Sequence, residues 1–89
     1  MLKWSVELTQ EAEKDISVLD NSIRRRVILK LDWLEKNFDE ILPVVLTADL
    51  RDYFKLRVGD WRIFYQVDWR RNIITVRYVD NRSKAYKKK

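Results

Sequence analysis

One hairpin signal constrains the fold of this chain more than any other feature. Gly59-Asp60 lies between two runs of alternating residues that extend from Tyr53 to Val67. This dipeptide predicts a two-residue turn, most simply of type II′, with glycine at the position of positive φ. Such a turn fixes the register of the two strands. The predicted cross-strand pairs are Val58–Trp61, Arg57–Arg62, Leu56–Ile63 and Lys55–Phe64.

The same register predicts two chemically different faces, because side chains alternate sides along a strand. The apolar face contains Leu56, Val58, Trp61, Ile63, Tyr65 and Val67. The opposite face contains Tyr53, Lys55, Arg57, Arg62, Phe64 and Gln66. Two arginines directly opposite each other cost roughly 0.2–1 kcal/mol. We interpret the three cations as a site for an anion, with a solvated outer sheet face as the alternative interpretation.

The first half of the chain predicts a strand and two helices. Residues 2–8 alternate apolar and polar, as in a half-buried strand, and Thr9 is a suitable N-cap for the helix that follows. Asp20-Asn21-Ser22 is expected to end this helix and cap a second one. The apolar positions at helical spacing are Ala12, Ile16 and Leu19 in the first helix, and Ile23, Val27, Leu31, Leu34 and Phe38 in the second. A short break predicts an antiparallel helical hairpin.

The second half of the chain predicts the rest of a sheet. Residues 41–50 are expected to be an irregular connection that packs on the core. The hairpin follows, then a polar turn at residues 69–72 and a last strand from Ile73 to Val79. The order β-α-α-β-β-β predicts an α+β fold, with the helical hairpin packed on a mostly antiparallel sheet. We expect residues 1–89 to form a single domain.

Charge is distributed unevenly along the chain. Residues 1–50 contain seven basic and ten acidic residues, a net charge of −3, whereas residues 51–89 contain twelve basic and four acidic residues, a net charge of +8. A basic half suggests a polyanionic partner, most often nucleic acid, and a solvated lysine-rich surface is the alternative. The absence of a long apolar run or a signal-peptide pattern predicts a cytoplasmic protein that does not bind membranes.

Residue content excludes several catalytic mechanisms. The chain contains no histidine and no cysteine, and its single glycine cannot form a phosphate-binding loop. Asp49, Asp52 and Asp60 are poorly spaced for a two-metal nuclease. One mechanism that remains is cleavage of RNA at a phosphate held by positively charged side chains. In it, the 2′-OH of RNA attacks the adjacent phosphorus. Lys55 would act as a base only with a pKa lowered by the neighbouring arginines.

Aromatic residues on the cationic face would complete such a site. Tyr53 and Phe64 are expected to stack on bases, each contact contributing roughly 1–3 kcal/mol. Basic and aromatic side chains on one face are typical of a surface that holds a single RNA strand.

Two segments resemble the RelE/ParE toxin superfamily. The first, from Lys55 to Val67, follows the pattern KLR-x-G-x-[YW]-R-[IL]-x-Y-x-V. The second, from Val79 to Tyr86, follows V-x-x-R-x-x-x-Y. The resemblance implies the toxin of a type II toxin–antitoxin system that cleaves mRNA in the ribosomal A site without a metal or cofactor. It also implies an antitoxin as partner, and we expect this antitoxin to be acidic and to wrap the toxin with helices.

The resemblance also implies roles for individual residues. Lys55 matches a lysine for base catalysis or charge stabilisation, and Arg57 and Arg62 match residues that grip the scissile phosphate. Arg82 matches a general acid or its electrostatic equivalent, and Tyr86 matches a tyrosine that orients or stacks the substrate. The basic tail adds Lys84 and Lys87 as candidate RNA-binding residues.

Two positions depart from the pattern of the superfamily. Tyr53 stands where some RelE-like members have a second lysine, and Asn81 stands where many have a histidine. Both departures remove a possible proton carrier. Two alternatives therefore stay open beside the mRNA endonuclease: an inhibitor of DNA gyrase of the ParE type, and a non-catalytic RNA-binding module.

Overall fold

The computed structural model describes residues 3–40, 44–45 and 53–81. Within these residues, five strands and two helices follow one another in the order β1, α1, α2, β2, β3, β4, β5, with a 3-10 turn after α2. Their bounds are β1 Ser5–Leu8, α1 Gln10–Ser17, α2 Asn21–Asn37, the 3-10 turn Phe38–Glu40, β2 Val44–Val45, β3 Phe54–Val58, β4 Trp61–Asp68 and β5 Ile73–Asn81. The α+β prediction is confirmed.

The strands form one mixed sheet in the order β1-β5-β4-β3-β2. β1 is parallel to β5, and the other three neighbouring pairs are antiparallel. The expectation of an irregular segment over residues 41–50 is wrong for Val44 and Val45, which pair with Lys55 and Phe54. A strand of two residues is too short to show an alternating pattern, so periodicity could not predict it.

The hairpin between β3 and β4 has the predicted register. All four expected pairs are present, including Arg57 opposite Arg62. Gly59 has a φ of 59°, and among the other described residues only Asn72 has a positive φ. A positive φ at the first turn residue alone is the property of a type II′ turn. The prediction from the Gly-Asp dipeptide is therefore confirmed in register and in turn geometry.

Both helices pack on one face of the sheet. Thr9 caps α1 as predicted, with its Oγ1 accepting a hydrogen bond from the Ala12 amide at 3.1 Å. Asp20 occupies the N-cap position of α2, but its side chain accepts no capping hydrogen bond, so that part of the prediction is wrong. The buried core contains Ala12, Ile16, Leu19, Val27, Leu31, Leu34, Phe38, Val58, Ile63, Tyr65, Ile74, Val76 and Val79. Ile23, expected in the same stripe, is only partly buried at its margin.

Neither helix in the described part of the chain is long and apolar enough to cross a membrane.

The stability of this core depends on pH through Tyr65. The side chain is 1% exposed, and burial raises its pKa to about 12 from an ordinary value of 10.0. The folded state therefore holds the phenolic proton more tightly than the unfolded state. We expect this contribution to stability to be fully present below pH 10 and to be lost as pH rises from 10 to 12. Urea unfolding between pH 8 and 11.5 measures it, and Tyr65→Phe should lose stability less steeply than the wild type. Equal slopes for the two proteins would contradict the expectation.

Candidate functional site

The face of the sheet opposite the helices carries the predicted cations. We call it the outer face and define it by Lys55 and Arg57 of β3, Arg62, Phe64 and Gln66 of β4, and Tyr78 and Asp80 of β5. Lys55 lies opposite Phe64, and Arg57 lies opposite Arg62. Residues directly opposite in an antiparallel pair have Cβ atoms about 5 Å apart, and residues two positions apart on one strand are about 7 Å apart. The register therefore brings the three cations together on one surface, as predicted.

Arg62 is the only buried charged residue in the described part of the chain. It is 7% exposed, and its Nη1 is buried without a hydrogen-bond partner. Asp80 faces it from β5 but forms no ion pair with it. A buried donor without an acceptor costs about 1–3 kcal/mol, and more when the group is charged. Arg62 therefore lacks an acceptor of the kind that a phosphate oxygen provides.

Lys55 and Arg57 are more accessible than Arg62. Lys55 is half-buried between its cross-strand neighbours Val44 and Phe64, while Arg57 is exposed. Arg57 Nε donates a hydrogen bond to the Gly59 carbonyl at 3.3 Å, which holds its guanidinium near the hairpin turn. Within the described residues, neither side chain has an acidic partner. Asp80 is thus the only carboxylate that the described strands place on this face, and it forms no ion pair with the three cations.

Aromatic residues on the outer face form a second, smaller core. The rings of Phe64 and Tyr78 stack with their centroids 4.6 Å apart, and the Tyr53 ring lies 6.0 Å from that of Tyr78. Phe64 is only 3% exposed, so the expectation that it stacks on a base is not supported by its position. Its ring packs against that of Tyr78 instead. Tyr53 is half-buried and keeps part of its surface accessible.

Tyr78 was not predicted to lie beside the cations, and a β-bulge explains why. Simple alternation along β5 groups Tyr78 with the core residues Ile74 and Val76. Pairing shifts by one residue between Phe64 and Tyr65, however, so that Tyr78 faces Phe64 while Val76 faces Tyr65. The extra residue is Arg77, which is exposed. A bulge of this kind changes which side chains share a face.

Polar contacts from Thr9 and from Asp15 of α1 hold this bulge. Thr9 Oγ1 donates to the Arg77 carbonyl at 2.9 Å, and the Thr9 amide donates to the Val76 carbonyl at 3.1 Å. Asp15 Oδ2 accepts a hydrogen bond from the Val79 amide at 3.0 Å. These partners lie more than sixty residues apart in the chain, so only the folded structure reveals them. Because of the bulge, Val79 points into the core and Asp80 lies opposite Arg62.

Four of the predicted site residues lie outside the described residues: Arg82, Lys84, Tyr86 and Lys87. Their assignments stay predictions.

The sequence and fold also match known proteins. Residues 6–86 match the family model described as the ParE toxin of the type II toxin–antitoxin system parDE. This chain belongs to the ParE toxin family. The resemblance to the RelE/ParE superfamily is therefore confirmed over nearly the whole toxin. No curated protein sequence matches it.

Solved structures with the same fold include several RelE toxins. The toxin–antitoxin complex RelBE2 from Mycobacterium tuberculosis has a TM-score of 0.79 at 23% identity, covering 91% of this toxin and 100% of that chain. A RelE–RelB complex from Pyrococcus horikoshii has a TM-score of 0.71 at 26% identity, covering 94% and 100%. A mutant of Escherichia coli RelE in the free state has a TM-score of 0.75 at 18% identity, covering 96% and 90%. These similarities show a shared fold.

Proposed function

We propose that this toxin is a metal-independent endoribonuclease that cuts mRNA on the ribosome in the cytoplasm and so inhibits translation. The observation that carries the proposal is the cluster of three cations on the outer face. Lys55, Arg57 and Arg62 share this face, none has an ion-pair partner within the described residues, and Arg62 has a buried donor without an acceptor. A scissile phosphate would supply the missing negative charge and oxygen atoms.

The chemistry that suits these residues is internal transphosphorylation. The 2′-oxygen of the nucleotide before the cut forms a bond to phosphorus, and the bond from phosphorus to the 5′-oxygen breaks. The products are a cyclic 2′,3′-phosphate and a free 5′-hydroxyl. In this proposal Lys55 receives the 2′-OH proton or stabilises the developing charge, and Arg57 and Arg62 hold the phosphate oxygens. Arg82 protonates or stabilises the leaving oxygen, and Tyr86 orients the substrate.

A buried guanidinium is well suited to such a role. Charge interactions are stronger where water is excluded, and a donor already fixed in position needs no reorganisation during the reaction. Arg62 is buried rather than extended into solvent. Arg57, which is exposed, would contact the phosphate from the solvent side.

We also propose an acidic antitoxin as the partner of this toxin, in a hetero-oligomeric complex. The net charge of +8 over residues 51–89 favours such a partner, and two of the three similar structures above are toxin–antitoxin complexes. Electrostatic attraction of this kind accelerates association and makes it sensitive to salt.

Mapping the ends of mRNA after adding purified toxin to a translation extract tests the nuclease proposal. We expect cuts in ribosome-bound message with the wild type, and at least about 100-fold slower cutting with Lys55→Ala, in line with the loss of a positioned catalytic group. Lys14→Ala, which changes an exposed lysine in α1, is the matched control and should cut normally. Intact mRNA at a toxin concentration that saturates ribosomes would overturn the proposal.

Inhibition of DNA gyrase is the second candidate function, since the matching family model is that of ParE toxins. A supercoiling assay with the same purified toxin distinguishes gyrase inhibition from mRNA cleavage. Inhibited supercoiling with intact mRNA would favour the gyrase target. RNA that is bound but not cut, with normal supercoiling, would indicate a binding module without catalytic activity.

A further inference from the structure

Asp80 of β5 brings a carboxylate to the outer face. It completes a row that crosses three strands, in which Arg57 lies opposite Arg62 and Arg62 lies opposite Asp80. Lys55 belongs to the next row, where it pairs with Phe64. Neighbouring strands are about 4.8 Å apart, and residues two positions apart on one strand are about 7 Å apart. Lys55 and Asp80 therefore lie on opposite sides of Arg62.

The position of Asp80 depends on the bulge in β5. Strict alternation from the buried residue Val76 would direct Asp80 to the helix side of the sheet. The extra residue Arg77 reverses this alternation, so that Val79 is buried in the core and Asp80 lies on the outer face. The Val79 amide donates a hydrogen bond to Asp15 Oδ2 at 3.0 Å, which holds the strand next to Asp80. The fold thus fixes a carboxylate beside the cations.

Asp80 and Arg62 face each other without forming an ion pair. Asp80 is half-buried, its Oδ1 accepts a hydrogen bond from the Asn81 amide at 2.9 Å, and no described residue donates to its Oδ2. Arg62 has a buried Nη1 without an acceptor. A ligand that satisfies both side chains must offer acceptor oxygens to the guanidinium and a hydrogen-bond donor to the carboxylate. A phosphate next to a hydroxyl offers both, and this arrangement occurs along the backbone of RNA but not of DNA.

We propose that Asp80 is the general base of the mRNA cleavage reaction. This inference rests on the function proposed above and refines the role of Lys55. The proton of the 2′-OH passes to the Asp80 carboxylate while the 2′-oxygen forms its bond to phosphorus. The bond from phosphorus to the 5′-oxygen breaks, and that oxygen takes up a proton from Arg82 or from water. Lys55 stays protonated and stabilises the charge that develops on the phosphate.

A carboxylate suits this role better than a lysine. It accepts a proton in its ordinary ionised form, whereas a lysine ammonium must first lose one. The geometry of the reaction also agrees with the assignment, because the attacking and leaving oxygens lie roughly in line on opposite sides of phosphorus. With the phosphate held at Arg62, Asp80 lies on one side of it and Lys55 on the other.

Single-turnover cleavage of ribosome-bound mRNA by Asp80→Asn tests this proposal. The amide has nearly the same shape but cannot take up the proton, so we expect cleavage at least about 100-fold slower than by the wild type. Asp80→Glu, which restores a carboxylate, should recover part of this loss. Asp60→Asn is the matched control, because Asp60 is an exposed carboxylate in the hairpin turn, and it should cut normally. Circular dichroism confirms that each variant is folded.

Substrate binding should change in the opposite direction from cleavage. The probe is a ribosome-bound message with a 2′-deoxynucleotide before the cut, which lacks the attacking hydroxyl and cannot be cleaved. Asp80→Asn should bind this complex at least as tightly as the wild type does, because it removes a negative charge next to the phosphate. A residue that only holds the substrate or the fold would lose binding together with cleavage.

The pH profile of the wild type gives a test that needs no variant. With a carboxylate as base, the single-turnover rate should stay nearly constant from about pH 6 to about pH 8.5, because carboxylates are ordinarily ionised throughout this range. With Lys55 as base, the rate should rise by up to about tenfold per pH unit until the ammonium is deprotonated. Asp15 and Asp20 line a cavity next to Asp80 and favour its proton uptake, whereas Arg62 opposes it.

Failure of this assignment is distinguishable from failure of the nuclease proposal. Equal cleavage rates for Asp80→Asn and Asp60→Asn would overturn the role of Asp80 while leaving the nuclease function intact. So would a parallel loss of binding and cleavage in Asp80→Asn, or a wild-type rate that rises steadily with pH. A wild-type toxin that leaves mRNA intact would instead refute the nuclease function, and with it the assignment of a base.

Discussion

Arg62→Met is expected to stabilise the toxin and nearly abolish mRNA cleavage in the same variant. The guanidinium is 7% exposed with Nη1 buried and unpartnered, so an unbranched apolar side chain removes an unfavourable group while keeping much of its volume. We expect a gain of about 1–3 kcal/mol in the free energy of unfolding. Cleavage should fall by about 100-fold or more, the usual cost of removing a positioned donor from a charged transition state.

Arg71→Met is the control for this substitution, because Arg71 is exposed in the turn between β4 and β5. It removes the same charge and should change neither stability nor cleavage greatly. Urea unfolding and single-turnover cleavage on ribosomes measure the two effects. A loss of stability in Arg62→Met would show that the guanidinium has partners in the folded protein. Normal cleavage would remove Arg62 from the site.

Leu34→Ala should have the largest effect on folding. Leu34 lies on the buried side of α2 and is 0% exposed, so truncation leaves a cavity and costs about 2–5 kcal/mol. A domain of this size has a total stability of only about 5–15 kcal/mol, and each kcal/mol lowers its Tm by about 4–8 °C. The variant should therefore melt far below the wild type in a thermal scan followed by circular dichroism.

The same helix offers a matched control for the core substitution. Leu29→Ala makes the identical chemical change at a residue that is 62% exposed, and it should alter stability by less than about 0.5 kcal/mol. Similar melting temperatures for the two variants would contradict the assignment of Leu34 to the core and of Leu29 to the surface.

The sequence predicted the centre of the candidate site but not its surroundings. The positions of Lys55, Arg57 and Arg62 on one face followed from a two-residue turn and the alternation of side chains, both of which are local properties. The burial of Phe64 and the position of Tyr78 beside it were not predictable in this way. They depend on the bulge at Arg77, which produces no pattern in the sequence of β5 itself.

In the helices too, features set by neighbouring residues were predictable, whereas features set by the folded structure were not. The apolar spacing of α1 and α2 identified all of their buried residues, since that spacing repeats within a few turns. The expected side-chain cap from Asp20 is absent, although its position at the start of α2 was right. Propensity locates a helix end, whereas the hydrogen bond at that end depends on the conformation of neighbouring residues.

The sequence by itself determined the hairpin register, the two faces of the hairpin and the placement of three cations on one of them. These follow from residues adjacent in the chain, where turn geometry and a repeat of two act directly. Only the tertiary structure decided the parallel pairing of β1 with β5, the addition of β2 and the unpartnered burial of Arg62. Each depends on segments that meet in space after long separation in the chain, where no local pattern specifies which atoms come into contact.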